Sequence, residues 1–493
     1  MLILEILYFF SALLLALYGL NSLLLTWLGR RQVGGVAQGS RADALPEAPS
    51  KQYPRVTVQL PIYNERYVAE RLLEAVVRLN WPADRLQIQV LDDSTDETGQ
   101  LIAAAIARHQ AQGVSVQFDH RHRTDRRGYK AGALQTGLES ATGEFIAIFD
   151  ADFMPPPDFL EKTIPFFENS EVGCVQTRWG HVNPDSSQLT KAQALGIDGH
   201  FLIEQRARHT VRAFLNFNGT AGVWRQRCIS EAGGWQGDTL TEDLDLSYRA
   251  QLRGWRIFYL PQVVTPAELP VQIDAFKRQQ FRWAKGSIQT AIKLLGPLWR
   301  SAQPWWVKIM GTLHLTTYAV HPLMLINLIL TLPMSFSNSL FLYLTPLFTI
   351  GAIGPPLLYW TAMRQQGLPV PTRLARLLLL IALGTGLALN NSRAIWQAVA
   401  GVGGEFKRTP KFAVVDQSRA WQTSSYILRR DPVAWLELGL ALYSTLLLGW
   451  VISQGIWWLV LWMGLYTLGY GYVAGLAFVQ TWQARLARAQ AVA

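Results

Sequence analysis

Two carboxylates spaced one residue apart, Asp150 and Asp152, follow a short apolar run. Residues 145–149 read Phe-Ile-Ala-Ile-Phe, which is typical of a buried strand. In an open parallel sheet, ligands bind outside the carboxyl ends of the strands, which is where both carboxylates would lie. Carboxylates this close repel each other unless a cation joins them, and Mg²⁺ or Mn²⁺ accepts such oxygens together with phosphates. The pair predicts a metal site that holds a nucleotide diphosphate, with an Asx turn before Pro155 as the structural alternative.

Further groups suited to chemistry lie between residues 241 and 283. The triplet 241–243 reads Thr-Glu-Asp, and its acidic side chains would also suit a helix N-terminus. Gln279 and Trp283 are four residues apart, so a helix would place them on one face. Arg282 can clamp a diphosphate with two hydrogen bonds, and Trp283 can offer a flat face to a sugar ring. The competing interpretation is an anchor at a membrane surface, where Trp and Arg are common.

The elements that must position these groups begin near Arg55. Strands are predicted at 56–60, 86–91, 114–118 and 145–149, and helices at 67–79, 97–111 and 131–140. Strand, helix and strand at this spacing imply parallel pairing with right-handed crossovers. We therefore expect a doubly wound, mostly parallel α/β sheet that presents its loops at one edge.

All four loops at that edge carry groups suited to a nucleotide. They contain Tyr63 and Glu65, then Asp92 and Asp93, then Lys130 at the end of a basic segment from residue 120, and then Asp150 and Asp152. Asp92 and Asp93 can accept hydrogen bonds from a base or a ribose, although the same residues would make a good helix N-cap. The basic segment could cover phosphates, and a solvated charged loop is its alternative.

Composition indicates a protein that is part soluble and part membrane-bound. Half of the 493 residues are apolar, and the mean hydropathy is +0.12. Residues 2–28 are long and apolar enough to cross a bilayer core of roughly 30 Å. Because neither a basic n-region nor a small-residue cleavage site accompanies them, we expect a retained anchor over 1–29, followed by a linker over 30–53.

Charge and cysteine content exclude several classes of function. The net charge of +10 comes without a nucleic-acid motif, and basic segments beside the membrane explain it, so no nucleic-acid partner is expected. The two cysteines lie far apart, which indicates neither a disulfide framework nor a zinc site. The arginines after the anchor predict that this side of the membrane is cytoplasmic.

The second half of the chain predicts a bundle of membrane helices. With the anchor, five spans are expected, the others at 307–334, 340–359, 435–453 and 456–482, with an uncharged turn at 335–339. An amphipathic helix at 285–300 would lie at the interface. The apolar segment 374–396 has basic residues on both sides, so it is expected to be interfacial or re-entrant.

The order of these motifs resembles that of the processive, membrane-embedded family 2 glycosyltransferases, and within them the plant cellulose synthase-like mannan and glucan synthases. The resemblance covers roughly residues 54–285. It is carried by Asp92-Asp-Ser94, Arg127-Gly-Tyr-Lys-Ala-Gly-Ala-Leu134, Phe149-Asp-Ala-Asp-Phe153, Phe217-Asn-Gly-Thr-Ala-Gly222, Glu231-Ala-Gly-Gly-Trp235, Thr241-Glu-Asp243 and Gln279-Gln-Phe-Arg-Trp283. The segment 405–411 also resembles the cytosolic gating segment of that family, with surface charge as the alternative.

The resemblance implies a GT-A fold, a divalent metal (Mg²⁺ or Mn²⁺), a sugar nucleotide donor and inversion at the anomeric carbon. It also implies roles for the motif residues. On the donor side, Asp150 and Asp152 would face the metal and the diphosphate, Asp92 and Asp93 would face the nucleoside, and Lys130 would lie at the nucleotide site. Gln279 and Arg282 would hold the diphosphate. On the acceptor side, Trp283 and Glu242 would contact the acceptor, and Asp243 would be the general base.

The expected division of the chain is an anchor, a linker, a GT-A domain over 54–266, interfacial helices over 267–304, a membrane bundle over 305–482 and a cytosolic tail over 483–493. The expected function is transfer of glucose or mannose from UDP-glucose or GDP-mannose to a growing β-glycan, coupled to translocation. Transfer of one sugar to a membrane lipid is the main alternative. A non-catalytic transporter or scaffold would be favoured only if a core carboxylate were missing, and all are present.

Overall fold

The computed structural model describes residues 1–31, 53–336, 348–415 and 420–492. Most of the predicted linker and most of the predicted turn at 335–339 lie outside these ranges. One seven-stranded sheet occupies the first half of the chain, with the strand order β3-β2-β1-β4-β6-β5-β7. Its strands are β1 (Val56–Ile62), β2 (Leu86–Asp92), β3 (Gln117–His122), β4 (Phe145–Ile148), β5 (Val172–His181), β6 (Gly222–Arg225) and β7 (Arg256–Ala267).

The first four strands are parallel to one another. They are linked by α2 (Ala69–Val77), α3 (Thr98–Ala111) and α4 (Tyr129–Leu138). Because each link returns the chain to the amino end of the next strand, the carboxyl ends of all four strands lie at one edge. Helices cover the sheet, so β1 and β2 are buried along their whole length apart from Pro61. The predicted doubly wound, mostly parallel sheet is confirmed.

The third strand does not lie where the sequence predicts it. It runs over Gln117–His122 instead of 114–118, and it pairs with β2 at the edge of the sheet. An edge strand is only partly buried, so polar residues are tolerated on it, and the sequence Gln-Phe-Asp-His-Arg-His resembles a loop. His120 and His122, predicted to lie in a basic loop, therefore belong to the strand.

The irregular stretch after residue 157 completes the sheet. It contains α5 (Phe159–Thr163), α6 (Gln188–Gly199), a π-helical turn (His200–Gln205), α7 (Arg206–Thr210), α8 (Gln226–Glu231) and α9 (Glu242–Leu252). β6 runs antiparallel between β4 and β5, so its first residues lie beside the carboxyl end of β4. There the Asp150 backbone N–H donates to Thr220 Oγ1 at 2.9 Å.

The remaining helices are α1 (Leu2–Arg31), α10 (Ile273–Arg300), α11 (Trp305–Leu315), α12 (Val320–Met334), α13 (Thr349–Ala352), α14 (Gly354–Gln365), α15 (Val370–Gly386), α16 (Ala388–Val399), α17 (Ala434–Ser453) and α18 (Trp457–Val492). Within the described ranges, four stretches are long and apolar enough to cross a membrane: α1, the stretch Thr317–Met334, α17 and α18. The number reaches five if the bent pair α15–α16 counts as one span.

Several predicted membrane segments can be compared with these helices. The segment 307–334 is not one helix, because a 3₁₀ turn at Thr317–Ala319 separates α11 from α12. Pro322 explains the break, since its ring would clash with a carbonyl one turn earlier in a continuous helix. The segment 374–396, predicted as interfacial or re-entrant, lies in α15 and α16, which meet at an angle of 42°. The first part of the predicted span 340–359 lies outside the described ranges.

The N-terminal helix packs against the bundle through glycines. A Cβ atom at Gly19 would collide with the carbonyl oxygen of Gly351, and one at Gly354 would collide with that of Gly19. Small residues allow two helix backbones to approach this closely inside a membrane. The contact therefore ties α1 to the α13–α14 segment.

We expect Gly19→Leu to destabilise the protein by about 1–3 kcal/mol, because the larger side chain would force α1 away from Gly351. The measurement is the thermal unfolding temperature of the full chain purified in detergent. Gly471→Leu is the matched control, because a Cβ at Gly471 would meet no atom within 4 Å. Equal unfolding temperatures for the two variants would contradict this packing.

Candidate active site

A cavity opens at the edge of the sheet where the parallel strands end. The loops after β1, β2 and β4, the start of α9 and the face of α10 form its walls, and residues 406–411 lie over it. The lining includes Tyr63, Glu65, Asp93, Lys130, Asp150, Asp152, Glu242, Asp243, Gln279, Arg282 and Trp283. The structure thus brings together all the predicted site residues except Asp92.

Asp150 is held by a lysine from α4. Its Oδ1 atom accepts a hydrogen bond from Lys130 Nζ at 2.5 Å. The same ammonium donates to the Gly219 carbonyl at 2.8 Å and lies 3.9 Å from Glu242 Oε1. Burial alone would lower the pKa of Lys130, but the charges of Asp150 and Glu242 raise it above its ordinary value. Lys130 therefore stays cationic between two carboxylates.

Asp152 is held by a lysine from the helical second half of the chain. Lys411 Nζ donates to Asp152 Oδ2 at 2.7 Å and also to the carbonyl of Glu268. Asp152 and Lys411 are both buried. Burial by itself would lower the pKa of Lys411, and the charges of Asp152 and Glu268 raise it. The segment 405–411 thus supplies the cation that balances Asp152.

Glu65 is a further acidic group in the same cavity. Burial raises the pKa of its carboxyl to about 8, although the charge of Arg408 opposes that shift. Arg408 Nη1 lies 3.3 Å from Glu65 Oε2, and its guanidinium stacks over the Tyr426 ring at 4.1 Å from the centroid. Glu65 is therefore largely protonated at neutral pH in the ligand-free cavity.

The oxygens of Asp150 and Asp152 fit a hard divalent cation. Within the described ranges, no group of three or more His, Cys, Asp or Glu side chains is placed to hold a metal by itself. Each of the two aspartates instead faces a lysine ammonium, so its oxygens already stabilise a positive charge. Mg²⁺ and Mn²⁺ commonly bind to one or two carboxylates and take phosphate oxygens and waters as the remaining ligands.

Asp92 and Asp93 differ in their surroundings. Asp92 is fully buried and faces His120 Nε2 at 3.4 Å and His122 Nδ1 at 3.2 Å, both on β3. Burial alone would raise the pKa of Asp92, but hydrogen bonds, led by that of His120, lower it to about 2. Asp93 lines the cavity and accepts two hydrogen bonds from Arg123, at 2.7 and 2.6 Å. Of the pair, Asp93 is therefore the one exposed to a ligand.

Arginine and aromatic side chains form a row of contacts beside the cavity. The Arg126 guanidinium lies 3.3 Å from the centroid of the Tyr63 ring and 5.4 Å from that of Tyr129. Tyr129 stacks on Phe406 with 6.0 Å between the centroids, and Arg282 lies 4.5 Å from the Phe406 centroid. This row joins the loops of the sheet, the segment 405–411 and α10.

Asp243 lies in the first turn of α9 with the properties of a base. Its Oδ1 atom accepts from the Leu244 N–H at 2.8 Å. Burial, followed by the charge of Glu242, raises the pKa of Asp243 to about 7, against the opposing charges of Lys130 and Arg282. A carboxylate with a pKa near neutrality suits general base catalysis.

Asp243 and the α10 residues are fixed relative to each other. Thr241 Oγ1 lies 3.1 Å from Thr290 Oγ1, and Gly286 leaves no room for a side chain against Thr241. Lys293 on α10 forms a 2.8 Å ion pair with the fully buried Asp245 on α9. Sequence reasoning did not find Asp245 or Lys293, because a pair 48 positions apart has no local signal.

The first half of the chain is similar in sequence to known glycosyltransferases. Residues 54–286 match a family model described as "Glycosyltransferase like family 2". The chain is 45% identical over 258 residues to glucomannan 4-beta-mannosyltransferase 1 of Oryza sativa subsp. japonica, covering 51% of this chain and 49% of that protein. It is 43% identical over 269 residues to glucomannan 4-beta-mannosyltransferase 2 of Arabidopsis thaliana, covering 53% and 50%. The match thus spans about half the length of these curated relatives.

A solved structure shares the fold. It is a mannosyltransferase from Pyrobaculum calidifontis in complex with GDP-Man and Mn²⁺, with a TM-score of 0.54 and 21% identity. The match covers 80% of this chain and all of that one. The GT-A fold and the family resemblance inferred from the motifs are confirmed by these comparisons.

We expect Lys411→Met to increase the affinity of the nucleotide-free protein for Mn²⁺ by about tenfold or more, because the ammonium no longer competes for Asp152. Mn²⁺ titration followed by electron paramagnetic resonance measures this affinity directly. Lys407→Met is the matched control, since Lys407 lies in the same segment and is exposed. An unchanged Mn²⁺ affinity in Lys411→Met would show that Asp152 does not bind the metal.

Proposed function

Because residues 54–286 form a glycosyltransferase family 2 domain, we propose that this protein transfers mannose from GDP-mannose to the end of a growing β-glycan. The relatives named as glucomannan 4-beta-mannosyltransferases support the sugar and the polymer. The mannosyltransferase structure with GDP-Man and Mn²⁺ supports the donor and a divalent cation. UDP-glucose is the alternative donor that the experiment below tests.

The observation that carries this proposal is that one cavity is lined by a carboxyl group with a raised pKa, an arginine and two closely spaced aspartates. Asp243 begins α9, Arg282 comes from α10, and Asp150 and Asp152 follow β4. Displacement at an anomeric carbon needs a base near the acceptor and positive charge near the leaving diphosphate. A glycoside hydrolase would instead need two carboxylates flanking the scissile bond, which explains neither the lysines nor Arg282.

In the proposed reaction, Asp243 accepts the proton of an acceptor hydroxyl as that oxygen bonds to the anomeric carbon. The bond from that carbon to the diphosphate oxygen breaks on the opposite face, which inverts the configuration. Lys130, Gln279 and Arg282 hold the departing diphosphate by charge and hydrogen bonds. A divalent cation bound by Asp150 and Asp152 would add charge neutralisation of the diphosphate.

The remaining cavity residues have roles at the two ends of the substrates. We propose that Trp283 stacks under the terminal acceptor sugar, with Glu242 beside it. The nucleoside would lie against Tyr63, Asp93 and the neutral carboxyl of Glu65. Asp92 would act indirectly, by fixing the shape of the loop that carries Asp93. Sugar rings and bases both present flat faces, which is why aromatic walls suit both ends.

The membrane half supports a multi-pass protein with its catalytic domain in the cytoplasm. Four stretches are long and apolar enough to cross a membrane. Arg485 and Arg488 lie near the end of α18, and Arg376 in the first half of α15 lies 3.2 Å from Asp185 of the sheet domain. Because a sugar nucleotide is charged, the donor would reach the cavity from the side of the membrane on which the sheet domain lies. We propose that the glycan leaves between the spans, so that elongation is coupled to translocation.

The test is to incubate membranes containing the full chain with labelled GDP-mannose or UDP-glucose and Mg²⁺ or Mn²⁺, and then to separate lipid-soluble from alcohol-insoluble product. We expect label from GDP-mannose in a pellet that a β-1,4-mannanase releases. Asp243→Asn should lower transfer by about a hundredfold or more while donor affinity stays near that of the wild type, because only the base is lost. Label in the lipid phase would instead establish a glycolipid synthase.

We expect kcat/KM for the donor to rise with pH through about 7, because the base must be deprotonated and burial and Glu242 hold the pKa of Asp243 there. Glu242→Gln should shift the rising limb to lower pH, since removing that charge removes a cause of the raised pKa. The measurement is the pH profile of initial rates at subsaturating donor. Glu231→Gln, on α8 outside the cavity lining, should leave the profile in place.

A further inference from the structure

The π-helical turn His200–Gln205 is an unusual element close to the cavity. It joins α6 to α7 and packs against β7, α1 and α14. Gly199, just before it, lies so close to Tyr359 that a Cβ atom would collide with that ring. A π-helical turn is rare and is frequently associated with a functional site. All of the predicted site residues lie outside this turn.

Two side chains of this turn connect to the cavity wall. His200 Nδ1 lies 3.0 Å from Glu204 Oε2, and His200 Nε2 lies 3.0 Å from Asn218 Oδ1. Asn218 lines the cavity next to Gly219, in the same lining as Asp243. A row of three polar side chains thus runs from Glu204 to the wall that faces the proposed acceptor.

The hydrogen bonds fix the direction of the Asn218 carboxamide. Its Oδ1 atom accepts from Asn216 Nδ2 at 2.8 Å and also from the Nε2–H group of His200. Its backbone N–H donates to Gln176 Oε1 at 2.8 Å. Among the residues that the structure describes, the Nδ2 group has one contact, of 3.4 Å to the Asn216 carbonyl, so it keeps donor capacity for a ligand.

Glu204 holds His200 in this orientation. Removal from water alone would raise the pKa of Glu204, but the hydrogen bond and charge of His200, with the charge of Arg208, bring it below its ordinary value. An ionised Glu204 accepts a hydrogen bond from the Nδ1–H group and Asn218 Oδ1 accepts one from the Nε2–H group, so both ring nitrogens of His200 act as donors in this row. The one-turn spacing of the two residues makes the pairing local.

We propose that His200 and Glu204 are positioning residues that aim the Asn218 carboxamide at a hydroxyl oxygen of the terminal acceptor sugar. The inference rests on the proposed function and extends it from the donor to the acceptor. Asn218 donates through Nδ2 to that oxygen, so the acceptor hydroxyl that reacts is held near Asp243. Under the proposed function, Lys130, Gln279 and Arg282 hold the donor diphosphate, so changes in this row would leave donor binding intact.

The experiment uses the purified full chain and compares two rates in each variant: transfer from GDP-mannose to a β-1,4-mannooligosaccharide, and release of GDP without an acceptor. His200→Leu and the nearly isosteric Glu204→Met should raise the acceptor KM by about tenfold or more, with GDP release within about twofold of wild type. His200→Gln should recover most of the acceptor affinity, because its amide can still donate toward Asn218. His209→Leu is the matched control, since His209 packs on Phe258 outside the cavity lining.

Several outcomes would overturn the inference. Wild-type acceptor KM in both His200→Leu and Glu204→Met would show that Asn218 is not aimed by this row. A parallel loss of transfer and GDP release, or a His200→Gln variant no better than His200→Leu, would reduce the row to a structural role. A wild-type protein that transfers no sugar would refute the proposed function as a whole, which is distinct from wild-type transfer with unchanged variants.

Discussion

Neutralisation of converging carboxylates is the constraint on which the site depends. Glu65, Asp150, Asp152, Glu242 and Asp243 line one cavity. Isolated charges in such a place cost several kcal/mol each unless they are paired or protonated. The chain meets this cost by pairing Asp150 and Asp152 with lysines, and by leaving Glu65 and Asp243 with raised pKa values.

This constraint also unites the two halves of the protein. One balancing cation, Lys411, comes from the segment that follows the helices α15 and α16. The helix α10, which carries Arg282, is anchored on its other face by Lys277, which pairs with Glu437 of α17 at 2.7 Å with both side chains buried. Removing one partner of such a pair would leave an uncompensated charge, which costs about 3–5 kcal/mol. The catalytic cavity therefore cannot be assembled by the sheet domain alone.

The parts that sequence predicts are those with a local signal. The apolar run before Asp150 and the spacing of Gln279 and Trp283 lead directly to a strand end and a helix face. The edge strand β3 lacks such a signal, because its polar residues do not form the apolar pattern of a buried strand. Contacts between residues that are distant in the sequence also lack a local signal. The sequence does not reveal that Asp93 rather than Asp92 faces the cavity. It also does not reveal that Lys411 contacts Asp152, 259 positions away.

Under the proposed function, the same charge balance couples the binding of the donor to that of the metal. A diphosphate that enters the cavity competes with Asp150 and Asp152 for the lysine ammoniums. Once Lys130 and Lys411 turn toward phosphate oxygens, the two aspartates need another cation, and a divalent ion that also binds phosphate satisfies both needs at once. Asp243 takes part in this exchange, because the charge of Lys130 lowers the pKa that burial and Glu242 raise. When Lys130 turns toward a phosphate, that opposing charge moves away and Asp243 becomes a stronger base.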